Sequence, residues 1–399
     1  MPNSHSEIES WVNTRLKGRV PELDGIRGLA ILMVLLWHGI FDIAPAYPPD
    51  SWMADAYLPF RLLWTGVDLF FVLSGFLIGG ILYDARQATN YYRVFYTRRF
   101  FRILPPYLVW YALFLLGLVL IRPGSSVVLT GIFNREIPPW SYAVFLQNVW
   151  MSVKQVFGPS WMGPTWSLAV EEQFYLILPL VIRRLSLRRL VVLVSACICI
   201  APLLRLELVR AGNAHLGPYT LLPCRMDAFG LGVLAALACR QQPIWEWLRS
   251  HKLILYSAIG LLAIKFAKIT LNPKWVFASG MTWVALLYAL VLLAAVLHPE
   301  GVFGKIFRQR VLIWLGGISY GIYLIHHGIL YLAHYLISGK MPAASNWTEI
   351  GITVVAIAVV LVIAVMSWRW FESPLVRRGH QRARYEFKIE QPAKVHSAA

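Results

Sequence analysis

The 399-residue chain is 58% hydrophobic and only 14% charged, against roughly 45–50% and 25% in a soluble domain. That composition excludes a soluble enzyme with a single anchor and predicts an all-α bundle that crosses a bilayer many times. The net charge of +17 is no argument for nucleic acid, because Lys and Arg in such a chain mark cytoplasmic loops facing anionic headgroups.

Residues 1–22 are polar and lack the apolar stretch of a cleavable signal peptide. They read as a cytoplasmic N-terminal segment, with the first span acting as the targeting signal. About ten spans near the roughly 20 residues needed to cross a bilayer are predicted. They fall at 23–42, 62–83, 105–121, 164–182, 190–206, 220–239, 252–270, 279–298, 311–337 and 348–370.

The first span, PELDGIRGLAILMVLLWH, carries three ionisable groups. Arg27 and His38 are eleven residues apart, nearly a whole number of turns, so they share a face about 16 Å apart along the axis. Asp24 lies on the same side, three residues before Arg27. Charges on a membrane helix are costly and face a bundle interior or a wet cavity. In the second span Asp68 sits among Val, Leu and Phe and needs a partner, while Ser74, Gly75, Gly79 and Gly80 permit close helix approach.

The segment YYRVFYTRRFFRILPPY is predicted at the cytoplasmic surface. On a helix Arg98, Arg99 and Arg102 converge, and their planar forks match phosphate. Pro105 and Pro106 suit the first turn of the span that follows. An ordinary positive-inside loop would look similar. Residues 141–157 are apolar but are expected to be re-entrant or interfacial, since a full span there would put Arg183–Arg189 outside. In the outer loop 122–163, Trp140, Trp150 and Trp161 offer faces for sugar rings or form an interfacial belt.

Glu171 and Glu172 lie in the outer half of the fourth span. Arg225 and Asp227, two apart in the sixth, cannot face each other and need separate partners. His326 and His327 sit near the middle of the ninth span, and Glu372 at the inner end of the tenth. By depth, His38, Asp68, Glu171 and Asp227 are expected in the outer half and the arginines at the inner surface. Residues 23–370 form one transmembrane domain, and 371–399 a basic cytoplasmic tail. Basic residues crowd onto alternate connections, which predicts both termini in the cytoplasm. The four cysteines show neither a disulfide framework nor a metal-ligand spacing.

ELDGIRGLAILMVLLWH, GVDLFFVLSGFLIG, RRFFRILPPY, WSLAVEEQFYLILP, RMDAFGLG, ISYGIYLIHH and WFESP, in that order, resemble the acyltransferase-3 family of integral membrane acyltransferases. The resemblance implies a ten-helix bundle in the bacterial cytoplasmic membrane. It implies transfer of an acyl group, by family habit acetyl, from cytoplasmic acyl-coenzyme A to a hydroxyl of a carbohydrate at the outer face. It assigns Arg27 and His38 to the family's R-x10-H motif, Arg99 and Arg102 to its coenzyme-binding RxxR motif, and Glu171 to its WSL-V-E motif. A fused esterase-like domain, found in some members, is not expected here.

On this reading Arg27, Arg98, Arg99 and Arg102 bind the donor. His38 is the general base, and Asp68 or Glu171 orients its other nitrogen. Asp24, Asp227 and His326 are supporting polar groups, His326 being the competing base. No permanently bound cofactor or metal is expected. A transporter of a glycan or lipid would also bury charges, but has no use for these motifs together.

Overall fold

The computed structural model describes residues 20–44, 58–121, 126–213, 216–269 and 279–387. The expectations for residues 1–19, 122–125 and 388–399 lie outside the described residues. Among the described residues there is no strand. Long helices occupy the predicted segments: α1 Pro21–Leu36, α2 Gly66–Asp84, α3 Tyr91–Leu120, α4 Trp166–Arg184, α5 Leu187–Arg210, α6 Leu222–Ala238, α7 Lys252–Ile269, α8 Met281–Leu297, α9 Arg310–Ser338 and α10 Trp347–Ser367. Among the described residues, 7 helical segments are long and apolar enough to cross a membrane.

The centre of the bundle is α1, α2, α6 and α9, with α3, α5 and α10 exposing most of their surface outward. Two crossings define it. At Gly28 of α1 an added Cβ would run into the backbone carbonyl of Leu312 on α9, and at Gly75 of α2 into that of Phe229 on α6. Small residues let apolar helices touch backbone to backbone where lipid supplies no hydrophobic drive. Phe229 fills the space beside this crossing, stacked on Phe71 (4.6 Å) and Phe174 (4.2 Å).

The basic connections meet at one end. Asp84 pairs with Arg240 (2.6 Å), Glu22 with Arg308 (2.5 Å), and Thr89 N donates to Glu386 O (2.8 Å).

Three features refine the sequence expectation, and the first corrects it. First, α3 begins at Tyr91, not at Pro105, and runs through both prolines. Arg99 and Arg102 therefore lie about 12–16 Å into a continuous helix rather than in a surface loop. The helix persists because the residues before Pro105 pack on neighbours: Tyr91 and Phe95 are buried. Second, residues 141–157 break into two short helices, Pro139–Ala143 and Gln147–Lys154. Phe145 between them has a left-handed φ of 56°. Buried Gln147 and Asn148 tie this element inward, donating to the carbonyls of Thr165 (2.9 Å) and Thr220 (3.0 Å). Third, the described part of the tail, up to residue 387, packs against the bundle. A π-turn, Trp368–Glu372, leads into helix α11, Ser373–Arg382, which packs on α3.

Candidate functional site

Two cavities lie in line through the bundle. The first, of about 630 Å³, opens toward the basic end and is lined by Arg27, Arg99, Arg102, Arg240, Asp24, Asp84, Glu171, Ser74 and Tyr175 among apolar groups. The second, of about 590 Å³, opens toward the other end and is lined by His38, Asp42, His327 and an aromatic wall that includes Trp64, Trp166 and Tyr219. Val67 and Tyr323 line both and so form the partition between them.

The partition is tied in place. Tyr323 Oη donates to the Pro164 carbonyl (2.9 Å) and accepts from Ser167 Oγ (2.5 Å). Tyr323 comes from α9 and Pro164 from the turn before α4, so this bond ties two elements together across the partition.

In the first cavity most charges already have a partner. Arg27 donates to Asp24 (3.0 Å), as their i, i+3 spacing predicts. Arg240 holds Asp84 through two nitrogens (2.6 Å each). Tyr175 Oη donates to Ser74 Oγ (2.8 Å), which donates to Glu171 Oε1 (2.5 Å). Among the described residues Arg99 and Arg102 make no ion pair. Arg99 lies 5.3 Å over the Tyr175 ring, which fixes its plane. Two guanidinium forks that hold no carboxylate in an ion pair among the described residues, and that face a cavity, form an anion site. Arg98, one residue away, does not line this cavity and donates instead to the Ala383 carbonyl (3.0 Å).

In the second cavity the chemistry is that of imidazoles. α1 passes into a π-turn, Trp37–Phe41, closed by Asp42 N to Trp37 O (2.8 Å). Such turns recur at functional sites, and this one presents His38. Its Nδ1 lies 3.1 Å from the Val34 carbonyl and 3.2 Å from His326 Nε2. His326 Nδ1 donates to the Tyr323 carbonyl (2.8 Å) and His327 Nδ1 to the Ser160 carbonyl (2.7 Å). A carbonyl only accepts, so each Nδ1 carries the proton. Neutral His38 then keeps a free lone pair on Nε2, the arrangement of a general base. His326 is buried behind it, 3% exposed, and lines neither cavity.

The structure thus brings Arg27, Arg99, Arg102, Asp24 and Glu171 together and puts His38 on the other side of Tyr323. Glu171, expected beside His38 in the outer half, sits with the arginines because α3 carries them inward to meet it. Asp68 does not orient His38 either. It is paired with Arg225, both fully buried. Asp227 is held by Arg205 (2.8 Å) and Thr282 (2.6 Å). The separate partners expected for Arg225 and Asp227 are present, and both pairs lock helices and line neither of these two cavities. Trp140, Trp150 and Trp161 line neither cavity; Trp161 is instead stacked on Trp110 (4.0 Å).

Sequence reasoning left Tyr323, Tyr175 and Arg205 unassigned, read Ser74 only as a small packing residue and gave His327 no role. Arg205 carried a usable signal, an arginine inside an apolar span. The others are ordinary core residues until the fold places them. Among the described residues no group of His, Cys, Asp or Glu side chains could hold a metal ion.

The acyltransferase-3 family model, described as an acyltransferase domain, matches residues 20–369. The chain is 28% identical to the peptidoglycan O-acetyltransferase OatA of Listeria monocytogenes, over 90% of this chain and 56% of that protein. It is 24% identical to the O-acetyltransferase OatA of Staphylococcus aureus, over 90% of this chain and 58% of that protein. The chain therefore spans less than two thirds of the length of these relatives. No solved structure matches.

Proposed function

The chain belongs to the acyltransferase-3 family, and from that premise we propose that it is a multi-pass membrane O-acetyltransferase. In this reading it takes acetyl groups from cytoplasmic acetyl-coenzyme A and esterifies a carbohydrate hydroxyl at the outer face of a bacterial cytoplasmic membrane. The observation that carries the reading is the pair of cavities meeting at Tyr323, one lined by Arg99 and Arg102 and one by His38. The gathering of basic connections at the arginine end supports a cytoplasmic donor side.

Arg99 and Arg102 hold the donor phosphates, with Arg27 kept in register by Asp24. Glu171, anchored by Ser74 and Tyr175, limits the repulsion among the three arginines. The pantetheine arm runs along Phe70, Leu73 and Leu77 toward the partition. On the far side the sugar stacks against the aromatic wall. When Tyr323 swings aside, the thioester meets the acceptor. His38 Nε2 takes the hydroxyl proton, the acceptor oxygen attacks the acyl carbon, and the C–S bond breaks. The thiolate then takes the proton back from His38, leaving an ester, free coenzyme A and neutral imidazole. His326 Nε2 and the Val34 carbonyl hold the Nδ1 proton throughout, which keeps Nε2 available in every cycle.

The test is purified protein in nanodiscs with acetyl-coenzyme A and envelope-derived glycans. Thiol release and a new O-acetyl ester by mass spectrometry are expected, as is loss of an envelope O-acetyl group when the gene is removed. A transporter would bind no acetyl-coenzyme A and release no thiol.

A further inference from the structure

The family match stops at residue 369, yet the chain beyond it is built onto the first cavity. Helix α11 lies along the first half of α3. Gly379 is seated on Phe101, where a Cβ would approach within 2.9 Å of the Phe101 Cβ, and Arg382 covers the same ring at 5.6 Å. The extended residues after α11 are then stitched to the start of α3. Arg98 Nε donates to Ala383 O (3.0 Å), Asn90 Nδ2 to Arg384 O (2.9 Å), Thr89 N to Glu386 O (2.8 Å) and Glu386 N to Asn90 Oδ1 (3.1 Å). The Arg98 guanidinium also lies 5.2 Å over Tyr385. These contacts bring His380 to the solvent-exposed mouth of the cavity that Arg99 and Arg102 line.

We propose that His380 is a donor-binding residue, contacting the 3′-phosphate of coenzyme A, and that Arg98 is the positioning residue that fastens the tail so His380 faces the cavity. This rests on the acyl-coenzyme A reading above. The direction of the ligand decides which of its groups His380 meets. The thioester end must point at Tyr323, so the nucleotide end lies at the mouth. There the outermost anionic group is the 3′-phosphate, and an imidazole N–H donates well to a phosphate oxygen. The role also accounts for Arg98. It belongs to the arginine cluster by sequence, but its contacts are spent on the tail.

The test uses the full chain in nanodiscs, with unacylated coenzyme A and 3′-dephospho-coenzyme A as probes in equilibrium binding, so that no turnover intervenes. Wild type is expected to prefer coenzyme A. His380→Ala should lose about tenfold in coenzyme A affinity, the scale of one hydrogen bond to a charged group, with dephospho-coenzyme A binding unchanged. Arg98→Ala should abolish the same preference, and the double variant should be no worse than either single one. Retained preference in His380→Ala overturns the proposal, as does equal weakening toward both probes, which a purely structural tail would give. Because His380 is exposed, its replacement tests the idea even if Arg98→Ala unfolds. Failure of wild type to bind coenzyme A, or indifference to Arg99→Ala with Arg102→Ala, would instead bring down the donor reading itself.

Discussion

The Nδ1 proton of His38 is held by the Val34 carbonyl and a neighbouring imidazole, not by a carboxylate. A carboxylate partner would favour the imidazolium; a carbonyl and a neutral ring fix the tautomer without adding a charge to an apolar bundle. Loss of a general base costs about 10²–10⁴-fold in rate. His38→Ala is expected to lose turnover by that factor in a thiol-release assay while keeping donor affinity. His326→Ala leaves the Val34 carbonyl as a partner, so its loss should be nearer about tenfold, one neutral hydrogen bond. The reverse ranking would exchange the two roles. Tyr323→Phe removes the bonds to Pro164 and Ser167 that hold the partition. At about 1 kcal/mol for each of the two bonds, a rise of about fivefold to thirtyfold is expected in thiol release without acceptor. No rise would mean that Tyr323 does not separate thioester from water.

Among the elements, ion pairs that look alike on paper differ in consequence. Arg225 and Asp68 are fully buried between α6 and α2. Removing one member leaves an uncompensated charge, which costs about 3–5 kcal/mol, whereas replacing both by apolar groups is often neutral. Arg225→Met should lower the melting temperature in detergent strongly, and Arg225→Met with Asp68→Leu should recover much of it. The exposed pair Arg210–Glu207 (2.6 Å) is worth at most about 1 kcal/mol, and Arg210→Ala should leave the melting temperature nearly unchanged. Equal effects would contradict the burial seen here. Gly28→Leu should destabilise by about 1–3 kcal/mol or more by overpacking, because its neighbour is the Leu312 backbone and backbone cannot rotate away.

At the scale of the whole molecule, the two cavities serve a transfer across a membrane only if they open to opposite sides. In a background without the four native cysteines, Ser186→Cys marks the basic end and Lys340→Cys the other; both positions are exposed. A charged maleimide added to intact cells is expected to label Lys340→Cys alone, with Ser186→Cys reacting only after the membrane is opened. Labelling of both in intact cells would refute the orientation that places donor and acceptor on opposite faces.

Local physics determined much of this protein in advance. Apolar runs form helices whatever surrounds them, since an unpaired peptide group in hydrocarbon is too costly. The segments, the Asp24–Arg27 bond and the clustering of charged groups were therefore legible from spacing. Lateral partnership was not. Asp68 meets Arg225 across 157 positions, and Glu171 meets the arginines because α3 begins fourteen residues before the proline pair marked it (Tyr91 to Pro105). Which cavity His38 faces, and that Arg98 serves the tail while Arg99 serves the cavity, follow from which helix faces touch. Those contacts are set by backbone crossings such as Gly28 on Leu312 and Gly75 on Phe229. A crossing angle and depth depend on two distant surfaces fitting together, so no single stretch of sequence encodes them, and only the tertiary structure decides which polar groups become neighbours.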